Sequence, residues 1–202
     1  MTDYRKNLVE QDVALNWGDV EFTGLDMSLT KSGVAQLSYG CLRTWSWVPG
    51  DRLKGFDRLL WYNDRLSEVL TYSSIVTLED YAFSRGFQAH QLGELGGLVR
   101  MRLWREGVRS YVATPQVIKK FATGKGNAGK PAVVLGLFKR WGLMIENEDQ
   151  ADAAAACLSG AYRFSESVDE LTKPQREAVA SLRPFSDGVR RRQKLSPGTK
   201  KG

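Results

Sequence analysis

One segment limits the possible folds more than any other: DQADAAAACLSGA, residues 149–161. It reads as a helix whose side chains are nearly all small, so it can lie very close to a sheet. Asp149 and Asp152 are three apart and share one helical face. A helix seated that closely can bring its carboxylates to an acid carried by a strand. Asp26 is such an acid, set inside the apolar strand EFTGLDMSL (21–29), where an unpaired buried charge is costly. Glu79 and Asp80 end a further strand, SSIVTLED (73–80), and strand alternation sends them to opposite faces. Taken singly, each acid has an ordinary reading: Asp149 in a first turn favours the helix dipole, and Asp80 faces solvent. Taken together, four carboxylates without histidine form a hard, oxygen-rich site suited to Mg²⁺ or Mn²⁺. Two such ions about 4 Å apart can clamp both oxygens of a phosphodiester displacement.

The rest of the chain alternates in a way that defines the class. After a polar start, residues 21–47 read as a three-stranded meander ended by Pro49-Gly50. An amphipathic helix follows through Leu53, Phe56, Leu59, Leu60, Leu66, Val69 and Leu70. Then come the strand at 73–80, a helix over 90–106, a fifth strand VRSYVAT, and a helix opened by Pro115. GKGNAGK leads into a helix over 131–141, and residues 166–183 read as a last, polar helix. The expected architecture is α/β, a five-stranded mixed sheet flanked by helices: a meander of three antiparallel strands, then two parallel ones. The expected divisions are an N-terminal extension (1–20), one domain (21–185) and a basic, disordered tail (186–202).

Composition excludes several classes. With 202 residues, 42% of them apolar, and 8 Phe, 7 Tyr and 6 Trp, the chain can build a real core. Trp45, Trp47, Trp61, Trp104 and Trp141 are expected there. No run approaches the ~20 apolar residues of a membrane helix, so no membrane partner is expected. Cys41 and Cys157 lie far apart, which argues against structural zinc and for a reducing cytoplasm. A single histidine, His90, makes a Ser–His hydrolase a poor fit and is expected at a helix start or surface. GKGNAGK lacks the spacing of a phosphate-binding P-loop and follows a helix, so it does not mark a nucleotide site.

Charge is concentrated. Of 29 basic residues, six (Arg190, Arg191, Arg192, Lys194, Lys200, Lys201) fall in the last thirteen positions, leaving 23 basic against 23 acidic elsewhere. The excess of +6 is therefore a tail, of the kind that meets nucleic acid. Lys119, Lys120, Lys125 and Lys130 form a second, acid-free basic stretch suited to phosphates. Lys120 and Lys125 also fit a solvated loop.

Five blocks together resemble the RuvC-type Holliday junction resolvases of the RNase H-like superfamily, and most closely their phage branch. They are GLDMSLTKSGVA (24–35), VTLEDYAF (76–83), LGELGGLVR (92–100), TPQVIKKFATGKGNAGK (114–130) and NEDQADAAAA (147–156), in family order over roughly residues 21–160. The resemblance implies an RNase H-like fold and assigns the metal-binding and catalytic roles to Asp26, Glu79, Asp149 and Asp152. It implies two Mg²⁺ ions per site, with Mn²⁺ substituting. It makes GKGNAGK a DNA-backbone loop in which Lys130 matches the family's lysine, with Lys119 and Lys125 beside it. It also implies an aromatic wedge shortly after Glu79; the spacing departs by one residue, with Ala82 at the family's position, which favours Phe83 over Tyr81. Glu94 is expected on a helix face near a dimer surface.

The function this implies is a homodimeric endonuclease resolving four-way DNA junctions by paired symmetric cuts, phage-encoded and acting in the cytoplasm of a bacterial host. The competing readings are a broader endonuclease for flaps, forks and other branched DNA, and a non-catalytic binder of branched DNA. Four intact acids argue against the binder. An actin-like ATPase would need a duplicated domain, for which 202 residues leave no room.

Overall fold

The computed structural model describes residues 5–13, 15, 19–70, 74–80, 89–145, 147–165 and 168–187. The tail residues Arg190, Arg191, Arg192 and Lys194, and both wedge candidates, Tyr81 and Phe83, lie outside the described residues.

Strands β1 (Arg5–Asp12), β2 (Glu21–Asp26), β3 (Ser32–Ser38), β4 (Cys41–Trp47), β5 (Ser74–Glu79), β6 (Arg109–Ala113) and β7 (Arg183–Asp187) form one sheet in the order β1-β4-β3-β2-β5-β6-β7. The meander β2–β3–β4 is antiparallel, β5 joins β2 in parallel, and β6 joins β5 in parallel. These five strands are the expected mixed sheet. The two additional strands extend its edges: β1 pairs antiparallel with β4, and β7 antiparallel with β6. The strand expected over 21–29, β2, stops at Asp26. The expected last helix, 166–183, shrinks to α6 (Lys173–Ala180), because the chain turns at Ser181 and Leu182 into β7. Pro184 in β7 lacks a donor, which an edge strand tolerates.

Helices α1 (Gly55–Val69) and α2 (Ala89–Arg105) cover one face of the sheet, where Leu25, Val34, Trp45, Trp47, Tyr62, Leu66, Leu95, Val99 and Leu103 form a buried cluster. Helices α3 (Pro115–Thr123), α4 (Lys130–Trp141), α5 (Glu148–Ser165) and α6 cover the other. Alternation explains the split. On β2, Phe22 packs toward α5 while Leu25 packs toward α1 and α2. Trp45 and Trp47 are fully buried, as expected, and Trp61 and Trp141 are half-buried. Trp104 is not core: it is 39% exposed on α2, because Leu103 beside it takes the inward position.

The alanine run behaves as its composition demands. Every residue from Gln150 to Tyr162 is buried, so α5 has no solvent face over that span and crosses β2, β3 and β5 directly. Its approach is set by glycines: a Cβ on Gly33 would stand 1.9 Å from the Asp149 carbonyl oxygen. Beside it, Gln150 fastens the start of α5 to the sheet. Its amide nitrogen donates to the Asn7 carbonyl at 3.0 Å and to Ser46 Oγ at 3.2 Å, while Thr44 Oγ1 donates to its carbonyl at 3.3 Å. No helix of the described residues is long and apolar enough to cross a membrane.

Candidate metal and DNA site

In a sheet with parallel central strands, the carboxyl ends of those strands form the natural crevice. Here β2 and β5 end side by side, with Leu25 opposite Leu78, and each has an acid next: Asp26 and Glu79. Both fall in the register that faces α5, whose first turns carry Asp152 in from above. One carboxylate oxygen from each of Asp26, Glu79 and Asp152 lies within 4.8 Å of the others. Asp152 is 6% exposed.

Burial raises all three carboxyls of the triad. Burial raises the Asp26 carboxyl well above the usual range, and the charges of Asp152 and Asp149 push it further while Lys130 pulls it back. Burial likewise raises Glu79, reinforced by Asp26 and Asp152 and opposed by Lys119 and Lys130. Asp152 is pushed up to about 6, first by burial and against the pull of Lys130 and Lys119. Among the described residues, Glu79 Oε2 and Asp152 Oδ1 are buried and accept no hydrogen bond. A buried carboxylate oxygen without a donor is costly unless a cation meets it. The donor set is all oxygen, which suits Mg²⁺ or Mn²⁺. The residues present therefore fit a divalent metal ion.

Asp149, the fourth expected ligand, shares the helical face with Asp152 but stands outside this triad. Its two oxygens are taken by lysines: Lys130 Nζ lies 3.3 Å from Oδ1 and Lys31 Nζ lies 3.4 Å from Oδ2. Lys130 opens α4 directly after the GKGNAGK loop and also lies 3.9 Å from Glu148. Burial works to lower the Lys130 ammonium's pKa, but its hydrogen bond to Asp149 and the surrounding carboxylates outweigh that and raise it. Lys119, on α3, is close enough for its charge to act on Glu79 and Asp152. Lys120 points elsewhere and pairs with Glu177 of α6 at 2.6 Å. Lys125 is exposed in the loop, where its backbone N–H and carbonyl both bond Thr123 Oγ1 at 3.0 Å.

One sequence expectation needs adjustment. Asp80 does face away from Glu79, but not into solvent. It accepts a 2.7 Å hydrogen bond from Arg100 of α2 on Oδ1 and another from Arg183 of β7 on Oδ2, and its side chain is only 18% exposed. The reason is β7, which sequence periodicity missed and which brings Arg183 alongside. Lys31 carries little signal in the sequence beyond being a basic residue in the turn after the Asp26 strand. His90 is exposed at the start of α2, as expected, and Glu94 is exposed on the same helix.

The chain matches no protein-family model and no curated protein. Among solved structures it is similar to Thermus thermophilus RuvC, with 23% identity and a TM-score of 0.59 over 73% of this chain and 98% of that one. It is also similar to T. thermophilus RuvC in complex with a Holliday junction substrate, with 22% identity and a TM-score of 0.64 over 82% of this chain and 99% of that one. The chain thus has a RuvC-like, RNase H-like α/β fold, widened to seven strands, with a partly buried carboxylate triad at the ends of its central parallel strands.

Proposed function

We propose that this protein is a divalent-metal-dependent endonuclease that resolves four-way DNA junctions by paired cuts. The observation that carries the reading is the triad Asp26, Glu79 and Asp152, brought together with Asp152 buried, Asp26 and Glu79 half-buried, and two oxygens that meet no donor among the described residues. A protein that only bound DNA would gain nothing from three desolvated acids aimed where phosphates must come. The junction-bound structural neighbour supports branched DNA as the substrate class.

The chain's own residues divide the work. Asp26, Glu79 and Asp152 would hold the cation, with Asp149 completing the set once its lysines have another anion to bind. A bound divalent cation, two per site in this reading, supplies a polarised phosphate and a nucleophilic water at neutral pH. Lys130 and Lys119 offset the acidic charge and, with Lys125, hold the DNA backbone, so that the scissile phosphate lies over the triad. Tyr81 or Phe83 would stack on unpaired bases at the crossover, and the basic tail would add long-range attraction. Symmetric paired cuts call for a two-fold dimer, and α1 and α2 offer a surface for one: Phe56 is 82% exposed, Leu60 62% and Met101 53%.

The test is incubation of the protein with end-labelled four-way junctions, flaps, forks and linear duplexes, with and without Mg²⁺. Paired, Mg²⁺-dependent nicks in the junction that disappear in Asp26→Asn, Glu79→Gln and Asp152→Asn, while junction binding survives, are expected. Equal cutting of flaps and junctions would broaden the reading to branched DNA in general. Parental cleavage by Asp152→Asn would overturn the carboxylate site.

A further inference from the structure

The turn between β2 and β3 puts a cation at the acidic pocket, and the way that turn is built fixes it there. Leu29 is buried within the turn. Ser32 Oγ accepts the Ser28 N–H at 2.9 Å, and the Tyr62 hydroxyl of α1 donates to the Ser28 carbonyl at 2.7 Å. Two residues past Lys31, Gly33 lies against the backbone of Asp149 with no room for a Cβ. The backbone on both sides of Lys31 is thereby tied down, on one side to α1 and on the other to the first turn of α5. Lys31 is delivered to Asp149 by architecture.

At Asp149 two ammonium groups meet one carboxylate, Lys31 on Oδ2 and Lys130 on Oδ1. The Lys31 side chain remains 38% exposed and that of Lys130 49%. An ammonium has three N–H donors, so each lysine keeps capacity on its solvent side. A phosphodiester nearing the triad meets strong repulsion unless cations flank its path. Lys130 and Lys119 flank it from α4 and α3; Lys31 comes from the β2–β3 turn, five residues after Asp26, and is bound to the other oxygen of Asp149.

We propose that Lys31 is a positioning residue for DNA: it contacts a backbone phosphate beside the cut site and, with Lys130, makes a two-pronged seat on either side of Asp149. The proposal rests on the nuclease reading and adds to it a residue outside the GKGNAGK loop. Asp149 serves the free protein by holding both prongs ready. Phosphate then displaces the carboxylate as their partner, one anion for another.

The experiment compares parent, Lys31→Ala and Lys31→Arg. Affinity for a fluorescent four-way junction and for a linear duplex is titrated from about 50 to about 200 mM salt in EDTA, and single-turnover cleavage is timed separately in Mg²⁺. Lys31→Ala is expected to reduce the slope of log affinity against log salt by about 0.9, the value of one phosphate contact. It should also slow cleavage of saturating junction by roughly tenfold. Lys31→Arg should restore the slope. The loss of slope should persist in an Asp149→Asn background, where no carboxylate needs neutralising. A parental slope in Lys31→Ala overturns the proposal, and so does a loss that vanishes beside Asp149→Asn, since Lys31 would then serve only Asp149. A parent that cuts no DNA would defeat the nuclease reading instead; the EDTA slopes on duplex would still decide whether Lys31 meets phosphate.

Discussion

Gly24 of β2 lies so close beneath Ala153 of α5 that a Cβ on it would stand 2.0 Å from the Ala153 carbonyl oxygen. The next nearest atom, the Cys157 amide nitrogen at 2.5 Å, is also helix backbone, so neither can swing aside. Asp26 is two residues further along the strand, and Asp152 precedes Ala153. The contact therefore sets the separation between two of the three triad acids. Gly24→Ala is expected to cost about 3 kcal/mol, the upper end for overpacking. Thermal melts check it against Gly50→Ala, whose added Cβ meets nothing within 4 Å and which should melt like the parent.

Stability in the absence of metal should fall as pH rises. Asp152 is pushed up to about 6, above the ~3.9 of an unfolded chain, so the folded protein holds this proton more tightly. The associated stability is fully present below about pH 4 and is lost as pH climbs through 6, on the order of 2 kcal/mol. Asp26 and Glu79, raised by the same burial, extend the loss to higher pH. Melting in EDTA from pH 5 to pH 8 should show a falling Tm that Asp152→Asn flattens and Mg²⁺ offsets. A Tm that rises over that window in EDTA and is unchanged by Asp152→Asn would argue against a desolvated triad.

Asp80 ties three elements together, the end of β5 to α2 and β7. Asp80→Asn is expected to cost about 1–2 kcal/mol, since two charge-assisted hydrogen bonds weaken at once. Arg100→Gln should cost more than Arg183→Gln, because the Arg100 side chain is 27% exposed and that of Arg183 63%. Denaturant titration of the three variants gives the order; a silent Asp80→Asn would show that the bridge does not hold in solution.

Lys130→Ala should slow cleavage far more than it weakens junction binding. One phosphate contact among many contributes little affinity, yet a misplaced scissile bond can cost about a hundredfold in rate. Single-turnover rates set beside EDTA affinities measure both. Equal losses would reduce Lys130 to general attraction.

The tail carries the whole net charge, so its removal should show in salt dependence. If all six basic residues after Val189 met phosphate, the slope of log affinity against log salt would steepen by roughly 5, and about half of that is expected. Truncation after Val189 should flatten the slope while leaving turnover on saturating junction nearly unchanged. Parallel salt titrations of full-length and truncated protein would show the tail to be uninvolved if their slopes coincide.

The acids were legible because each breaks a local pattern: Asp26 interrupts an apolar strand, and Asp152 interrupts a run of alanines. Glu79 was chosen by the family resemblance, and alternation agreed by separating it from Asp80. What the sequence hid depends on partners far away in the chain. β1 and β7 are edge strands that bury little, so RKNLVEQD and RPFSD carry weak hydrophobic alternation, and Pro184 suggests a break rather than a strand. Missing β7 also meant missing Arg183, and with it the reason Asp80 is not solvated. Helical spacing put Asp149 beside Asp152 correctly, but the lysines that occupy it come from α4 and from a turn after β2.

A helix buried on every side from Gln150 to Tyr162 cannot be an early, local event in folding. An isolated alanine-rich stretch of this size is marginal in water, and α5 gains its stability only when the sheet closes on one side and α3, α4 and α6 on the other. Those contacts join the beginning of the chain to its last third, which makes them slow to form and mutually dependent. The backbone amides of residues 151–162 should accordingly exchange with solvent only through global unfolding. The acidic pocket is assembled by that same closure, so a nascent or half-folded chain holds Asp26, Glu79 and Asp152 apart, with no site at which they could share a cation.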